Sequence, residues 1–236
     1  MFSFQYGTAK IEYKLIRSKR KNISISVEPN SKVRVKAPIN LSDDEVLEVV
    51  KGKSRWITQK LFEIREIETR RYRRDYVNGE TFTYLGRRYS LQLIDDESIK
   101  ELEVKLYRGK LYVTTPTRDE AIIRTAIVGW YKEKAKEKIP ERVAYYEKFF
   151  LEKRGDIIVK EQKKRWASCT KDGTLMFNWK DIIAPANILD YIIVHEMCHL
   201  RYMNHSKEFW EMLVRVLPDY ERRKEWLKNN GIKLEV

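Results

Sequence analysis

In the stretch Tyr191-Ile-Ile-Val-His195-Glu196-Met-Cys-His199-Leu-Arg-Tyr-Met-Asn-His205-Ser206, two histidines four positions apart bracket a glutamate inside an apolar run. Pro185 precedes the run and suits the first turn of a helix. At about 100° per residue His195 and His199 stand roughly 40° apart, one turn removed, so both imidazoles can meet one ion. Glu196 points past that pair, where it addresses a metal-bound water rather than the metal. Cys198 projects about 60° away from His195 and reads as a small core residue rather than a soft ligand.

His205 cannot reach the same ion along an unbroken helix, because ten residues at about 1.5 Å each leave it roughly 15 Å away. The helix must therefore end first. Asn204 tolerates the left-handed conformation that closes helices, and Ser206 with Glu208 can cap a new one through Phe209, Trp210, Leu213 and Val214. The chain has three histidines and all fall in this window. Ile188, Leu189, Ile192, Ile193, Val194, Met197 and Leu200 cover nearly the whole circumference, so the helix is expected to be buried. Two histidines and a glutamate are costly there without partners. Three imidazoles with a fourth position open to water define a catalytic zinc site, and Glu196 is the general base for its water. The expected cofactor is one Zn²⁺ per chain, held by His195, His199 and His205.

Outward from that site, 236 residues suffice for one large domain or two small ones without disulfide staples. The two cysteines, Cys169 and Cys198, form no CxxC and read as free thiols. No apolar run approaches the ~20 residues a membrane span needs. The opening Met-Phe-Ser-Phe-Gln-Tyr has neither the basic nor the apolar part of a secretory signal, and the expected compartment is the cytoplasm. Net charge is +13, with 24 basic against 16 acidic residues in 1–116 and 24 against 19 in 117–236. Such a spread field suits anionic partners, nucleic acid among them. Arg17, Lys19, Arg20 and Lys21, together with Arg70, Arg71, Arg73 and Arg74, are the candidate phosphate contacts of a binding module that needs no catalysis.

The fold class is α+β. Alternation predicts strands around Ile11–Leu15, Ile23–Val27, Val33–Val35, Thr81–Leu85 and Tyr89–Ile94, with Glu28-Pro29-Asn30-Ser31 as a turn. Arg108-Gly109 splits Glu103–Tyr107 from Lys110–Thr115 as a hairpin. Ser42 to Glu45 reads as a capping box opening a helix to about Glu68, weakened at Gly52, and Thr117 to Glu120 as a second one opening a helix to about Leu151 that Pro140 kinks or interrupts. Helices dominate thereafter, apart from a strand near Ile157–Glu161 and a hairpin turning at Lys171-Asp172-Gly173. The expected domains are a β-rich 1–116 and a hydrolase domain 117–236. No internal repeat shows. The helix at Tyr220–Asn229 reads as a lid on the core with nothing catalytic.

The segment from His195 through Trp210 also resembles the YgjP-like metal-dependent hydrolases, a zincin-like group related to SprT-like metallopeptidases, whose pattern is HExCHL, four residues, then HSxxFW. The likeness extends to Lys164-Arg165-Trp166-Ala167-Ser168-Cys169 and Leu175-Met-Phe-Asn178-Trp179, with Ala167 where glycine is usual, and to the N-terminal strands and the helix carrying Trp56. It implies a zincin core, catalysis by Glu196, and an edge strand, expected at Thr174–Trp179, that aligns an extended peptide. It leaves Arg165 and Asn178 as substrate contacts. Two substrates stay open, a peptide or protein and a nucleoside triphosphate. The basic balance favours phosphate, whereas the lack of a GxxxxGK[ST] loop or a magnesium-binding carboxylate cluster does not.

Overall fold

A computed structural model describes residues 1–28, 32–69, 74–162, 165–231 and 234–236. The expected turn at 29–31 and the basic residues Arg70, Arg71, Arg73 and Lys164 lie outside the described residues. The chain forms two compact units, Met1–Arg73 and Arg74–Val236.

The first unit is a four-stranded sheet with two helices. Strands β1 (Phe2–Tyr6), β2 (Ala9–Ser18), β3 (Ser24–Val27) and β4 (Val33–Pro38) lie in the order β1-β2-β4-β3, β2 and β4 being parallel. β1 was not expected, although Phe2, Phe4 and Tyr6 alternate as a strand does. Ile11, Tyr13, Val33, Val35 and Ala37 meet Val46, Val50 and Ile57 in its core. The capping box forms, Glu45 N–H donating to Ser42 Oγ and Ser42 N–H to the Glu45 carboxylate. The single expected helix divides at Gly52 and Lys53 into α1 (Asp43–Gly52) and α2 (Ser54–Thr69).

The second unit begins with β5 (Thr81–Tyr84), β6 (Arg87–Asp95), β7 (Glu103–Tyr107) and β8 (Lys110–Thr115), ordered β5-β6-β8-β7 with β6 and β8 parallel. The strand order and pairing of the first sheet thus recur, a repetition of topology that no repeated sequence announces. Leu85-Gly86 and Arg108-Gly109 turn its hairpins with positive φ at both positions, which matches the twist of the flanking strands.

This sheet belongs with the helices that follow it, which moves the boundary expected near 116. Phe82, Leu91, Leu93, Leu111 and Val113 share one core with helix α3 (Glu120–Glu147), and Tyr131 donates its hydroxyl to the Thr83 carbonyl at 2.7 Å. α3 starts two residues later than its expected cap. Asp119 accepts from Ala121 and Ile122, while Thr117 Oγ1 only accepts from Asp119 N–H. Pro140 neither ends nor interrupts α3, because Ile127, Tyr131, Ala135, Ile139 and Val143 bury one continuous stripe that carries the helix past the lost hydrogen bond.

A three-stranded sheet follows, β9 (Ile157–Lys160), β10 (Ala167–Cys169) and β11 (Leu175–Asn178), in the order β10-β11-β9. β11 is therefore central, and the edge strand beside the site is β10 rather than the expected Thr174–Trp179 segment. A 3-10 turn (Trp179–Ile183) leads into α4 (Ala186–Cys198), α5 (Lys207–Val216) and α6 (Tyr220–Asn230). Among the described residues no helix is long and apolar enough to cross a membrane.

Candidate metal centre

α4 is clamped before it presents any chemistry. Leu85 and Gly86 donate backbone N–H groups to Ile182 and Ile183 just upstream, and Gly86, at φ +77°, lets Pro185 approach so closely that a Cβ there would stand 2.7 Å from the proline Cα. Arg142 of α3 forks onto Asp190 at 2.7 and 2.9 Å. As expected, α4 is buried nearly all round, from Ile188 to Cys198.

The helix ends earlier than expected and without a left-handed residue. Its backbone tightens, His199, Leu200 and Arg201 each donating to the carbonyl three residues back, and Asn204 is not at positive φ. Ser206 occupies the N-cap of α5 in extended backbone, but its hydroxyl donates to the Glu208 carboxylate instead of capping an amide.

That break brings the three histidines together. One ligand atom from each of His195, His199 and His205 lies within 4.8 Å of the others, and the Nε2 atoms of His195 and His205 are 3.0 Å apart. His199 Nδ1 lies 2.8 Å from the Tyr202 carbonyl, to which it donates when protonated there, leaving Nε2 as its free lone pair. Burial, then the neighbouring His199, His205 and Lys224, push His195 down to about 3, and His205 is lowered for the same kind of reason. His195 Nδ1 is buried without a partner. Neutral imidazoles converging in this way suit a borderline ion such as zinc. Phe209, wholly buried, packs against all three rings with centroids 4.7 to 5.0 Å away.

Glu196 is buried next to the triad, and burial raises its carboxyl to about 7. The nearby backbone N–H of Cys169 and then the Arg165 guanidinium pull the other way. Asp181, fully buried in the 3-10 turn, is raised well above the carboxylate range by burial, and Glu196 adds repulsion. Residues 21–230 match the family described as YgjP-like, metallopeptidase domain. The chain belongs to that family. Two solved metallopeptidase zymogens are similar over short stretches. Abylysin of Pyrococcus abyssi is 24% identical, covering 41% of this chain and 94% of its own, at a TM-score of 0.37. Jannalysin of Methanocaldococcus jannaschii is 23% identical, covering 37% and 91%, at 0.34. No curated protein matches the chain.

In this YgjP-like metal-dependent hydrolase the two expected substrate contacts part ways. Arg165 is exposed and close enough to act on the Glu196 carboxylate. Asn178 is buried with both ends of its amide spent, Nδ2 donating to the Gln162 carbonyl and Oδ1 accepting from Lys180 N–H. It caps the 3-10 turn. Cys198 is buried in the core, as expected. Cys169, raised to about 11 chiefly by burial, stands outside the histidine cluster.

Sequence reading missed the contribution of α6. Tyr220 stacks on Trp210 at 5.4 Å, Trp210 stacks on His205 at 5.5 Å, and Lys224 Nζ lies 4.3 Å from the Trp210 ring. The available signal was the spacing of Tyr220 and Lys224, which four residues apart share a helix face.

Proposed function

We propose that the chain is a zinc-dependent peptidase in which Glu196 is the general base and the open edge of β10 aligns the substrate. The observation that carries this reading is the convergence of His195, His199 and His205 beside a buried Glu196 whose carboxyl feels the backbone N–H of Cys169 on the edge strand. Trp166 bonds to Asn178 of β11 and Thr170 to Thr174 just before it, so by strand alternation Ala167 and Cys169 direct their backbone groups to the open side. There Cys169 N–H acts on Glu196, and Ala167 offers a donor and an acceptor to an extended peptide.

His195, His199 and His205 would hold the ion, and Phe209 and the Tyr202 carbonyl fix their rings. Held there, a zinc ion would supply Lewis acidity for a water and for the scissile carbonyl. Glu196 takes one proton from the attacking water as the new C–O bond forms. It returns that proton to the departing amine nitrogen as the C–N bond breaks. Without the ion, burial raises its carboxyl to about 7, and a dication held nearby would favour the carboxylate, the form that accepts the proton.

A second reading, hydrolysis of a nucleoside triphosphate at the same site, is favoured by two cationic side chains near it, Arg165 acting on Glu196 and Lys224 over the Trp210 ring. The test is metal content per chain together with turnover of an unfolded protein and of a nucleoside-triphosphate panel, for wild type and Glu196→Gln. One zinc per chain in both proteins, with protein cleavage by the wild type alone, supports the peptidase. Nucleotide turnover lost in the variant selects the second reading, and protein cleavage that survives in Glu196→Gln overturns the assignment of the base.

A further inference from the structure

The geometry assigns Lys224, held over the Trp210 ring that stacks on His205, as the residue that stabilises negative charge on the oxygen of the scissile group. The assignment rests on the hydrolytic reading above, with water attacking across the histidine triad, and holds for either substrate.

Three observations converge on it. First, the base and the third histidine have different neighbours. Glu196 lies with β10, where Cys169 N–H and Arg165 act on it. His205 lies with the aromatic stack, His205 on Trp210 and Trp210 on Tyr220.

Second, the aromatic stack carries a cation held by shape. Lys224 is one turn beyond Tyr220 on α6, and both meet the same indole, with the ammonium 4.3 Å from the Trp210 ring. A lysine over an indole face is attracted by the ring quadrupole, which restrains an otherwise mobile side chain at little cost to its charge.

Third, the charge is unspent. Among the described residues no carboxylate lies within ion-pair distance of Lys224, although α6 supplies Glu221 and Glu225 within one turn, and its neighbour Arg223 pairs with Asp219 at 2.9 Å. The Tyr220 hydroxyl is turned to Glu221 at 3.4 Å, which leaves Lys224 as the donor that this face of α6 offers. An ammonium already in place when negative charge develops needs no reorganisation, and that is what makes such groups effective in catalysis.

During the reaction the water oxygen bonds to the carbonyl carbon, the C=O π pair moves onto oxygen, and Lys224 donates an N–H to that oxygen. When the C–N bond breaks the pair returns to re-form C=O. Lys224 stays protonated throughout, so proton balance remains with Glu196.

The test uses full-length, zinc-loaded protein as wild type, Lys224→Met and Lys224→Arg. Affinity for inorganic phosphate is measured by calorimetry, and kcat and KM on the substrate found above are measured alongside. Because Lys224 is exposed, both variants are expected to fold and to hold one zinc. For Lys224→Met, loss of one oxyanion donor predicts a fall in kcat of about 100-fold or more with KM within ~3-fold, and phosphate binding weakened by at least about tenfold. Lys224→Arg should recover most of both. Unchanged phosphate affinity in zinc-loaded Lys224→Met overturns the assignment, as does a rise in KM at constant kcat. If Glu196→Gln proves active, the reading of the base fails while the phosphate measurement still decides Lys224.

Discussion

Replacing Glu196 with glutamine should stabilise the metal-free protein while abolishing its activity. The cause is the burial that lifts the Glu196 carboxyl from 4.5 to about 7. At about 1.4 kcal/mol per pH unit, the fold disfavours the ionised form by about 3 kcal/mol once pH is well above 7. The sign follows from linkage. A carboxyl whose folded value is raised contributes stability that is fully present below pH 4.5 and lost as pH rises through 7. Glutamine does not ionise, and its carbonyl oxygen can still accept from Cys169 N–H. The difference between variant and wild type should therefore widen from pH 4.5 to pH 8 by about 3 kcal/mol, the depressed His195 cancelling because both proteins contain it. Denaturant unfolding after metal removal, followed by tryptophan fluorescence, reads it, since Trp130, Trp166, Trp179, Trp210 and Trp226 all lie in the second unit and only Trp56 lies in the first. Zinc should narrow the gap, because a nearby dication favours the carboxylate. A difference independent of pH across this range would refute the claim that buried charge on Glu196 is what the fold resists.

Two further substitutions test how the site is held. Phe209→Ala removes a wholly buried ring against all three histidines and should cost about 3–5 kcal/mol in unfolding free energy, with zinc affinity, measured by chelator competition, falling at least about tenfold. Gly86→Ala puts a methyl 2.7 Å from the Pro185 Cα at φ +77°, a clash with backbone that no rotamer relieves. It should destabilise by more than about 1 kcal/mol in the same unfolding assay and shift the N-terminal end of α4, read by slower-exchanging amides there becoming faster.

Sequence reading reached furthest where chemistry depends on local spacing. HExxH places His195, Glu196 and His199 within about one helical turn, so their faces follow from helical periodicity alone. His205 needed only the argument that a straight helix cannot reach, and it does stand beside His195. How the chain turns back was misjudged, since Asn204 was given the break on propensity whereas three tightened hydrogen bonds end the helix five residues sooner. Strand positions were legible from alternation, but the order β10-β11-β9 was not. A hairpin motif says which strands pair and is silent on which acquires a second neighbour, and the parallel partner β9 made β11 central. The boundary near 116 failed for a related reason. Composition changes there, but compactness follows burial, and Leu91, Leu111 and Val113 bury against α3 across that change.

The same distinction explains why the lysine went unseen. Ligands announce themselves because a metal demands particular atoms at particular spacing, whereas an electrostatic donor demands only a charge in the right place, and lysine and arginine make up 48 of 236 residues. What separates Lys224 from the others is tertiary. Trp210 follows the ligand segment on α5, Tyr220 and Lys224 arrive on α6, and the indole joins the two helices directly beside His205. The aromatic that helps seat a metal ligand thereby also positions a cation. Loss of Trp210 should consequently impair two functions at once, metal retention through His205 and charge stabilisation through Lys224, whereas loss of Lys224 should impair only the second.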